Sequence, residues 1–188
     1  TALSGLTIGS TQKLSGIGTV DVGGGNTLTI NGTHAAGNSP GVQTVTGNLS
    51  YGSSSIFEWD LASSTQGTRG TDYDGVSVSG NLGGTAGATF KVILGSGSFG
   101  EAFWNSQHTW TDIFSAANLG SVDLASIFTS VKWYEGSTEL TNLTTNGSFT
   151  LTNSTLSWSA VPEPSSALAG LLIASGLLRR SRRGDPRT

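Results

Sequence analysis

Two carboxylates separated by a single residue are the first candidates for chemistry in this sequence. Glu58 and Asp60 lie in a short apolar run, and residues two apart on a β-strand point to the same face. Hydrolysis of a polysaccharide requires such a pair, whereas a lyase needs a base and a cation that stabilises an enolate. The alternative is a solvated strand face. Because the four cations of residues 1–160 lie in four separate segments, we predict no catalytic residues and no enzyme.

The histidines and a second pair of aspartates are weaker candidates. His34 and His108 are far apart, and each is expected to be an isolated surface or loop residue. Asp72 and Asp74 lie beside a glycine-rich turn and could join a calcium site, but a calcium loop normally offers more oxygen ligands in sequence. The chain has no cysteine, which excludes thiolate metal sites and cysteine nucleophiles. We therefore predict no metal and no cofactor.

Tryptophan side chains offer a binding chemistry instead. Trp104, Trp110 and Trp133 could present flat rings to pyranose sugars, which stack well on aromatic faces. Packing in the core or at the end of the domain is the alternative explanation for all three. A carbohydrate-binding module is therefore a second function to weigh.

The segments that must position these residues are mostly β. Short alternating runs, such as Thr27–Ile30 and Phe90–Leu94, are rich in β-branched residues and bounded by Gly, Asn or Ser-Pro. Such runs are typical of strands joined by turns, and similar ones occupy residues 18–22, 42–45, 76–78, 131–134, 148–152 and 155–158. Their irregular recurrence suits the stacked coils of a β-solenoid. A β-sandwich would have similar strands, and periodicity alone cannot separate the two.

Between residues 98 and 128, bulky apolar residues replace the alternating strand pattern, and their spacing is compatible with short helical turns. The open end of a solenoid exposes apolar core and unpaired backbone, so a segment must cover it. We therefore predict β-solenoid coils over residues 1–97, and an end-cap with terminal strands over residues 98–160.

Charge is distributed unevenly along the chain. Only 11% of residues are charged; residues 1–160 carry a net charge of −6, and residues 161–188 carry +3. A mildly acidic body of this kind is a poor candidate for binding nucleic acid. Because the chain has no methionine, we expect Thr1 to be a processed end or a fragment boundary, with any export signal upstream.

The basic residues follow an uncharged apolar run at the C-terminus. Prolines in residues 161–165 interrupt regular structure, and residues 166–178 then contain no charge. A helix over residues 165–178 would reach about 21 Å, short of the roughly 30 Å hydrocarbon core, although arginines can snorkel. A C-terminal core helix with a solvated basic end is the alternative. If the run spans a membrane, the positive-inside rule leaves the preceding body outside the cytoplasm and holds inside the cluster of Arg179, Arg180, Arg182 and Arg183.

This three-part order resembles a PEP-CTERM sorting signal, with motif 161–165, transmembrane helix 166–178 and basic cluster 179–183. The resemblance implies recognition by an exosortase and processing at or near Pro162, Glu163 and Pro164. It also implies a Gram-negative bacterium that makes extracellular polysaccharide, passage through the inner membrane, and delivery to the cell surface or matrix. Residues 184–188 extend beyond the point where the family usually stops.

Residues 14–94 resemble the end of an autotransporter-type passenger repeat. The resemblance is carried by Gly37–Gly41, Val45–Leu49, Phe57–Asp60 and Tyr73–Val78. It implies the last coils of a right-handed parallel β-helix, so the predicted fold is an all-β solenoid end with a capping segment and a C-terminal transmembrane helix. The predicted function is a structural or adhesive surface or matrix protein, with extracellular polysaccharide as a candidate partner. The alternatives are a carbohydrate-binding module and, behind it, a β-helix polysaccharide lyase or hydrolase.

Overall fold

A computed structural model describes residues 5–141 and 147–161, and within them 17 β-strands carry the fold. Helix in this part of the chain is confined to α1 (Leu124–Ile127) and two 3₁₀ turns, Ala102–Asn105 and Leu119–Ser121. In chain order the strands are β1 (Leu6–Ile8), β2 (Lys13–Gly16), β3 (Gly18–Asp21), β4 (Thr27–Ile30), β5 (Thr33–Ala36), β6 (Val42–Thr46), β7 (Asn48–Tyr51), β8 (Ile56–Leu61), β9 (Gly75–Val78), β10 (Leu82–Gly84), β11 (Ala88–Leu94), β12 (His108–Trp110), β13 (Phe114–Ser115), β14 (Phe128–Glu135), β15 (Thr138–Glu139), β16 (Gly147–Thr152) and β17 (Thr155–Ala160).

The strands form four sheets. Two are four-stranded and wholly parallel, with the orders β1-β4-β7-β10 and β13-β9-β6-β3. A six-stranded sheet has the order β15-β14-β11-β8-β5-β2, parallel except for the β14–β15 pair. The fourth sheet, β12-β17-β16, is antiparallel. In the first part of the chain, strands three apart in sequence are thus neighbours in a sheet.

Alternation along each strand builds a common core. In β8, Phe57, Trp59 and Leu61 are fully buried, whereas the residues between them face outward. The same alternation recurs in β4, β6, β7 and β11. Complete burial of each such side chain stabilises the fold by about 1.5–3 kcal/mol. The inward rows of all four sheets therefore join into one apolar cluster.

The antiparallel sheet covers one side of this core. Trp158 donates from Nε1 to the carbonyl oxygen of Trp104 at 2.7 Å, and Phe149 packs 5.8 Å from the ring of Trp133 on the six-stranded sheet. The carboxylate of Asp123 caps α1 at Ala125 and also accepts from a backbone N–H in the β16–β17 turn. These contacts connect the antiparallel sheet to the rest of the fold.

The structure corrects the fold class predicted from the sequence. The sequence predicts a right-handed parallel β-helix closed by a short cap and followed by an apolar helix. The described residues instead form parallel, mixed and antiparallel sheets in a sandwich-like arrangement. Residues 98–160 supply six strands, one of which, β14, extends the six-stranded sheet beside β11. The physical reason is that the alternation of apolar and polar residues determines which side of a strand is buried. It does not determine which other strand will pair with it.

Several local predictions are nevertheless confirmed. Strands occupy each of the alternating runs predicted from the sequence, and short helical turns occur between residues 98 and 128. Within residues 5–141 and 147–161, no helix is long and apolar enough to cross a membrane. The predicted sorting motif at Pro162, Glu163 and Pro164 lies outside the described residues, as do the predicted transmembrane helix 166–178 and the basic cluster of Arg179, Arg180, Arg182 and Arg183.

Candidate binding face

Charged side chains gather on the outer face of the six-stranded sheet. Glu58 of β8 is in register with Lys91 of β11, which is in register with Lys132 of β14. Lys13, on the edge strand β2, reaches Glu58 from the other side. These are all three lysines of the chain, although they are far apart in sequence. The parallel strand order is what brings them to one face.

Glu58 is the centre of this face. Its carboxylate accepts from Lys13 Nζ at 2.6 Å and from Lys91 Nζ at 3.0 Å, one lysine on each oxygen. Burial by itself would raise the pKa of Glu58, but the hydrogen bonds and charges of the two lysines outweigh burial and hold the pKa below its usual range. Glu58 is therefore ionised, and each of its carboxylate oxygens is paired with one lysine.

An aromatic ring continues the network on β14. Lys91 Nζ lies 4.3 Å from the centroid of the Tyr134 ring, a cation–π contact. The Tyr134 hydroxyl donates to Glu139 at 2.7 Å, and Lys132 pairs with the same carboxylate at 3.1 Å. The hydrogen bond to Glu139, followed by burial, raises the pKa of Tyr134 to about 12. The face is thus a continuous chain of cations, carboxylates and one phenol.

Asp60 lies beside Glu58 on the same strand, as the sequence predicts. Burial, aided by the charge of Glu58 and opposed by a hydrogen bond from Ser39, raises the pKa of Asp60 above its usual value. The two carboxylates therefore lie on the same face of the sheet, but only Glu58 forms ion pairs with two lysines. This arrangement favours an ion-pair network over a hydrolytic pair.

We expect Glu58→Gln to lower the free energy of unfolding by about 1–2 kcal/mol, because two lysines lose a partly buried charged acceptor. The depressed pKa implies that the contribution of Glu58 is present above pH 4.5 and is lost as the pH falls below that value. Urea unfolding at pH 7 and pH 3.5 measures both effects. The matched control, Glu139→Gln on the exposed end of the network, should leave the midpoint unchanged at either pH. Equal effects of the two variants would contradict the central role of Glu58.

His34 is a core residue, in contrast to the surface or loop position expected from the sequence. It lies on β5 with no exposed surface, where Nε2 is 2.7 Å from Gln43 Oε1 and Nδ1 faces the hydroxyl of Tyr51. Gln43 in turn donates to the carbonyl of Gly16 at 2.9 Å. A neutral imidazole fits this pattern by donating from Nε2 to Gln43 and accepting at Nδ1 from the Tyr51 hydroxyl. Burial, against the hydrogen bond with Gln43, lowers the pKa of His34 to about 4.

The second histidine packs at the edge of the fold. His108 lies half-buried on β12, its ring stacked 3.6 Å from that of Phe103. Its ring nitrogens contact the Phe103 carbonyl and the Gln66 side chain. Both histidines therefore have structural partners.

Both carboxylate oxygens of Asp74 accept hydrogen bonds from backbone N–H groups. Its Oδ1 accepts from Gly41 N at 2.7 Å and its Oδ2 from Asp60 N at 3.0 Å, in a site where only 1% of the residue is exposed. Burial raises the pKa of Asp74 to about 7, although both backbone hydrogen bonds oppose the shift. Asp72 accepts from the N–H of Thr68 and closes a local turn. No group of three His, Asp or Glu side chains in the described ranges is arranged to hold a metal.

The three tryptophans considered for sugar stacking differ in exposure. Trp104 and Trp110 are each only 1% exposed and donate to Ser64 Oγ and the Thr65 carbonyl, so neither presents a ring face to solvent. Trp133 is half-buried on the inner side of β14. The packing explanation therefore holds for the first two rings.

The sequence identifies Glu58 as a candidate but does not identify its lysine partners. Outward positions on neighbouring strands could have suggested the network, but the register that joins them is a tertiary feature. Comparison with family models, curated proteins and solved structures finds no match for this chain. The fold and site define a mostly β protein with an aromatic core and an ion-paired outer face.

Proposed function

We propose that the protein is an exported bacterial surface or extracellular-matrix protein with a structural or adhesive role. An exosortase would sort it through residues 161–183. The observation that carries the proposal is the order of three features in the sequence: a Pro-Glu-Pro motif, an uncharged apolar run and an arginine cluster. Each part is common by itself, whereas the order of all three is specific.

The body supports a structural role through its packing. Large rings with 0–1% exposure, including Tyr51, Phe57, Trp59 and Phe90, fill the interior. The side chains that sequence reasoning considered for chemistry have structural partners: Glu58 binds two lysines, and Asp74 binds two backbone N–H groups. A tightly packed β body whose polar candidates have structural partners suits a spacer or adhesive element in a matrix.

Replacing Pro162, Glu163 and Pro164 together by alanine tests the proposal in a bacterium that has an exosortase. We expect the variant to stay in the inner-membrane fraction at its unprocessed mass, whereas the parent reaches the surface or medium in a shortened form. Cell fractionation with mass spectrometry of the C-terminal peptide measures both.

The matched control replaces Asp185 and Pro186 by alanine, which also removes an acid and a proline but lies beyond the arginine cluster. This control should be delivered and processed like the parent. Surface delivery of the triple variant at the parental mass would overturn the proposal.

Of the three tryptophans considered for carbohydrate binding, only Trp133 is partly exposed and could still contact a sugar. Retention of the chain on immobilised polysaccharide, lost in Trp133→Ala with an unchanged melting temperature, would favour this alternative.

A further inference from the structure

One cation of the β body lies outside the lysine network. Arg69 is the single arginine of residues 1–160 and lies in the loop between β8 and β9. Gly70, the next residue, donates its N–H to the Tyr73 carbonyl at 2.6 Å, and the buried Tyr73 donates its hydroxyl to the Thr111 carbonyl at 3.2 Å. These bonds hold the short turn from which the Arg69 side chain extends.

Two glycines allow this segment to lie directly on the outer face of the sheet β13-β9-β6-β3. A Cβ at Gly75 of β9 would collide with Nε and Cζ of Arg69, and a Cβ at Gly70 would lie 2.7 Å from Cγ2 of Val42 on β6. Any other residue at position 75 would therefore displace the guanidinium. The head group of Arg69 lies against the backbone of β9 because Gly75 leaves it room.

The guanidinium has donors that the fold does not use. Nη2 of Arg69 donates to Ser77 Oγ at 3.1 Å, whereas Nε is buried and, among the described residues, has no acceptor. The ion pairs of residues 5–141 and 147–161 are all made by lysines. Burial lowers the pKa of Arg69 and the charge of Asp112 opposes that shift, but an arginine stays protonated in proteins. A partly buried cation with unused donors is costly for the fold, and a bound anion would remove that cost.

A row of hydroxyl groups crosses the sheet beside Arg69. Ser77 of β9 is in register with Ser115 on one side and with Thr44 on the other, and Thr44 is in register with Thr19. These four side chains, the hydroxyl row, are exposed or half-buried on the outer face. Neighbouring strands are about 4.8 Å apart, so the row is about 14 Å long. Because a hydroxyl both donates and accepts, such a row matches a ligand that itself carries many hydroxyl groups.

Two carboxylates limit the negative charge that a ligand can bring to this face. Asp112 acts on Arg69 through its charge, and Asp21 follows Thr19 two residues later on the outer face of β3. A polymer with dense sulfate or phosphate groups would bring anions close to both of them. A ligand with one carboxylate among many hydroxyl groups avoids this repulsion, and a uronic acid within a polysaccharide has that composition.

We propose that the outer face of β13-β9-β6-β3 binds an acidic polysaccharide, with a uronate carboxylate on Arg69 and sugar hydroxyl groups along the hydroxyl row. The inference rests on the adhesive role proposed above and names the class of its partner. A guanidinium binds a planar carboxylate through two parallel N–H donors, which Nη1 and the second N–H of Nη2 can supply. The site shares no side chain with the Glu58 network or with Trp133.

Titration of the full chain, in detergent if its C-terminus requires it, tests the ligand class. The probe is a short hyaluronan oligosaccharide, in which uronates alternate with neutral sugars. We expect saturable binding at low ionic strength that weakens with added salt. The same oligosaccharide with methyl-esterified carboxylates keeps its hydroxyl groups and should bind about tenfold more weakly. Dextran sulfate, whose charges are denser, should also bind more weakly than hyaluronan.

Substitutions at the cation test the site itself. Arg69→Gln should raise the dissociation constant about tenfold with a melting temperature that is unchanged or higher, because a costly buried charge is lost. Arg69→Lys keeps the charge but not the two parallel donors, so its affinity should be intermediate. Asp112→Asn should lower the dissociation constant roughly threefold by removing the nearby negative charge. Asparagine also tolerates the positive φ of 57° at position 112.

A matched pair of valine variants tests the hydroxyl row. Thr44→Val removes a hydroxyl from the middle of the row and should raise the dissociation constant roughly threefold. Thr29→Val makes the same change on the outer face of β4, in another sheet, and should leave the affinity unchanged. Valine suits a strand at both positions, so both variants should keep the fold.

Binding and sorting can fail separately. The two C-terminal variants described above keep Arg69 and the hydroxyl row, so both should bind hyaluronan like the parent wherever they are delivered. Tighter binding by either variant would mean that an acidic residue of the C-terminus occupies Arg69, and would overturn the proposal. No binding of hyaluronan at about 1 mM, equal affinity for the methyl ester, tighter binding of dextran sulfate, or equal affinities of the parent and Arg69→Gln would also overturn it.

Discussion

Replacing Phe57 by alanine is expected to lower the free energy of unfolding by about 4 kcal/mol. The Phe57 side chain has no exposed surface and lies among five other rings, with centroids 4.8 Å away at Phe114 and 5.3 Å away at Phe90. Truncation to alanine loses the burial of the ring and leaves a cavity that rigid neighbouring strands cannot fill. It also removes aromatic contacts worth about 0.5–1.5 kcal/mol per pair.

Urea unfolding followed by tryptophan fluorescence measures this loss of stability. Two further variants serve as controls. Phe57→Leu keeps most of the volume and should cost less than half as much. Phe103→Ala removes the same ring from a partly buried position beside His108 and should also cost less. If Phe57→Ala were no more destabilising than Phe103→Ala, the central position of Phe57 in the core would be contradicted.

The second large expected effect is on how the free energy of unfolding depends on pH, to which the buried side chains of His34 and Asp74 both contribute. His34 has a pKa of about 4 in the fold and 6.5 when unfolded, so the unfolded chain takes up a proton first as the pH falls. Stability from His34 is therefore complete above pH 6.5 and is lost towards pH 4, by about 3 kcal/mol. Burial of the neutral ring between Tyr51 and Gln43 is the physical cause.

Asp74 acts in the opposite direction over nearly the same range. Its pKa is about 7 in the fold and 3.8 when unfolded, so the folded chain takes up a proton first. Stability from this group is complete below pH 3.8 and is lost as the pH rises to 7, by about 4 kcal/mol. The two contributions largely cancel in the parent, whose stability should vary little between pH 4 and 7 on their account.

Single substitutions should reveal each contribution. Asp74→Asn leaves His34 alone, so its free energy of unfolding should fall by about 3 kcal/mol between pH 7 and pH 4. His34→Gln leaves Asp74 alone, so its free energy of unfolding should rise by about 3 kcal/mol over the same change. Each substitution also changes packing and hydrogen bonds, which is why the readout is the slope against pH rather than the stability at one pH. Parallel pH profiles for the parent and both variants would contradict the prediction.

Local strand content could be predicted from the sequence because its signal is local. Alternation in Thr27–Ile30 and Phe90–Leu94 requires only that one side of a strand be apolar, and both segments are strands with that side buried. The arrangement of strands could not be predicted in this way. The pairing of β11 with β8 and β14 brings together residues more than thirty positions apart, and nothing in a period of two specifies such partners.

The candidate site shows the same division. Glu58 was identified from its spacing to Asp60, but its role depends on Lys13 and Lys91, which are 45 and 33 residues away. The burial of His34 was missed because a histidine between small residues looks like a loop residue, whereas β5 directs it inward beneath Tyr51.

By itself the sequence determined the strand segments, the low charge of the body, and the C-terminal order of motif, apolar run and arginines on which the proposed sorting rests. All of these are read over a few neighbouring residues. Only the tertiary structure decided which strands meet, which carboxylate is neutralised, and that Trp104 and Trp110 are covered. The physical reason is that burial and ion pairing depend on distances in space, and these are set by contacts between residues remote in the chain.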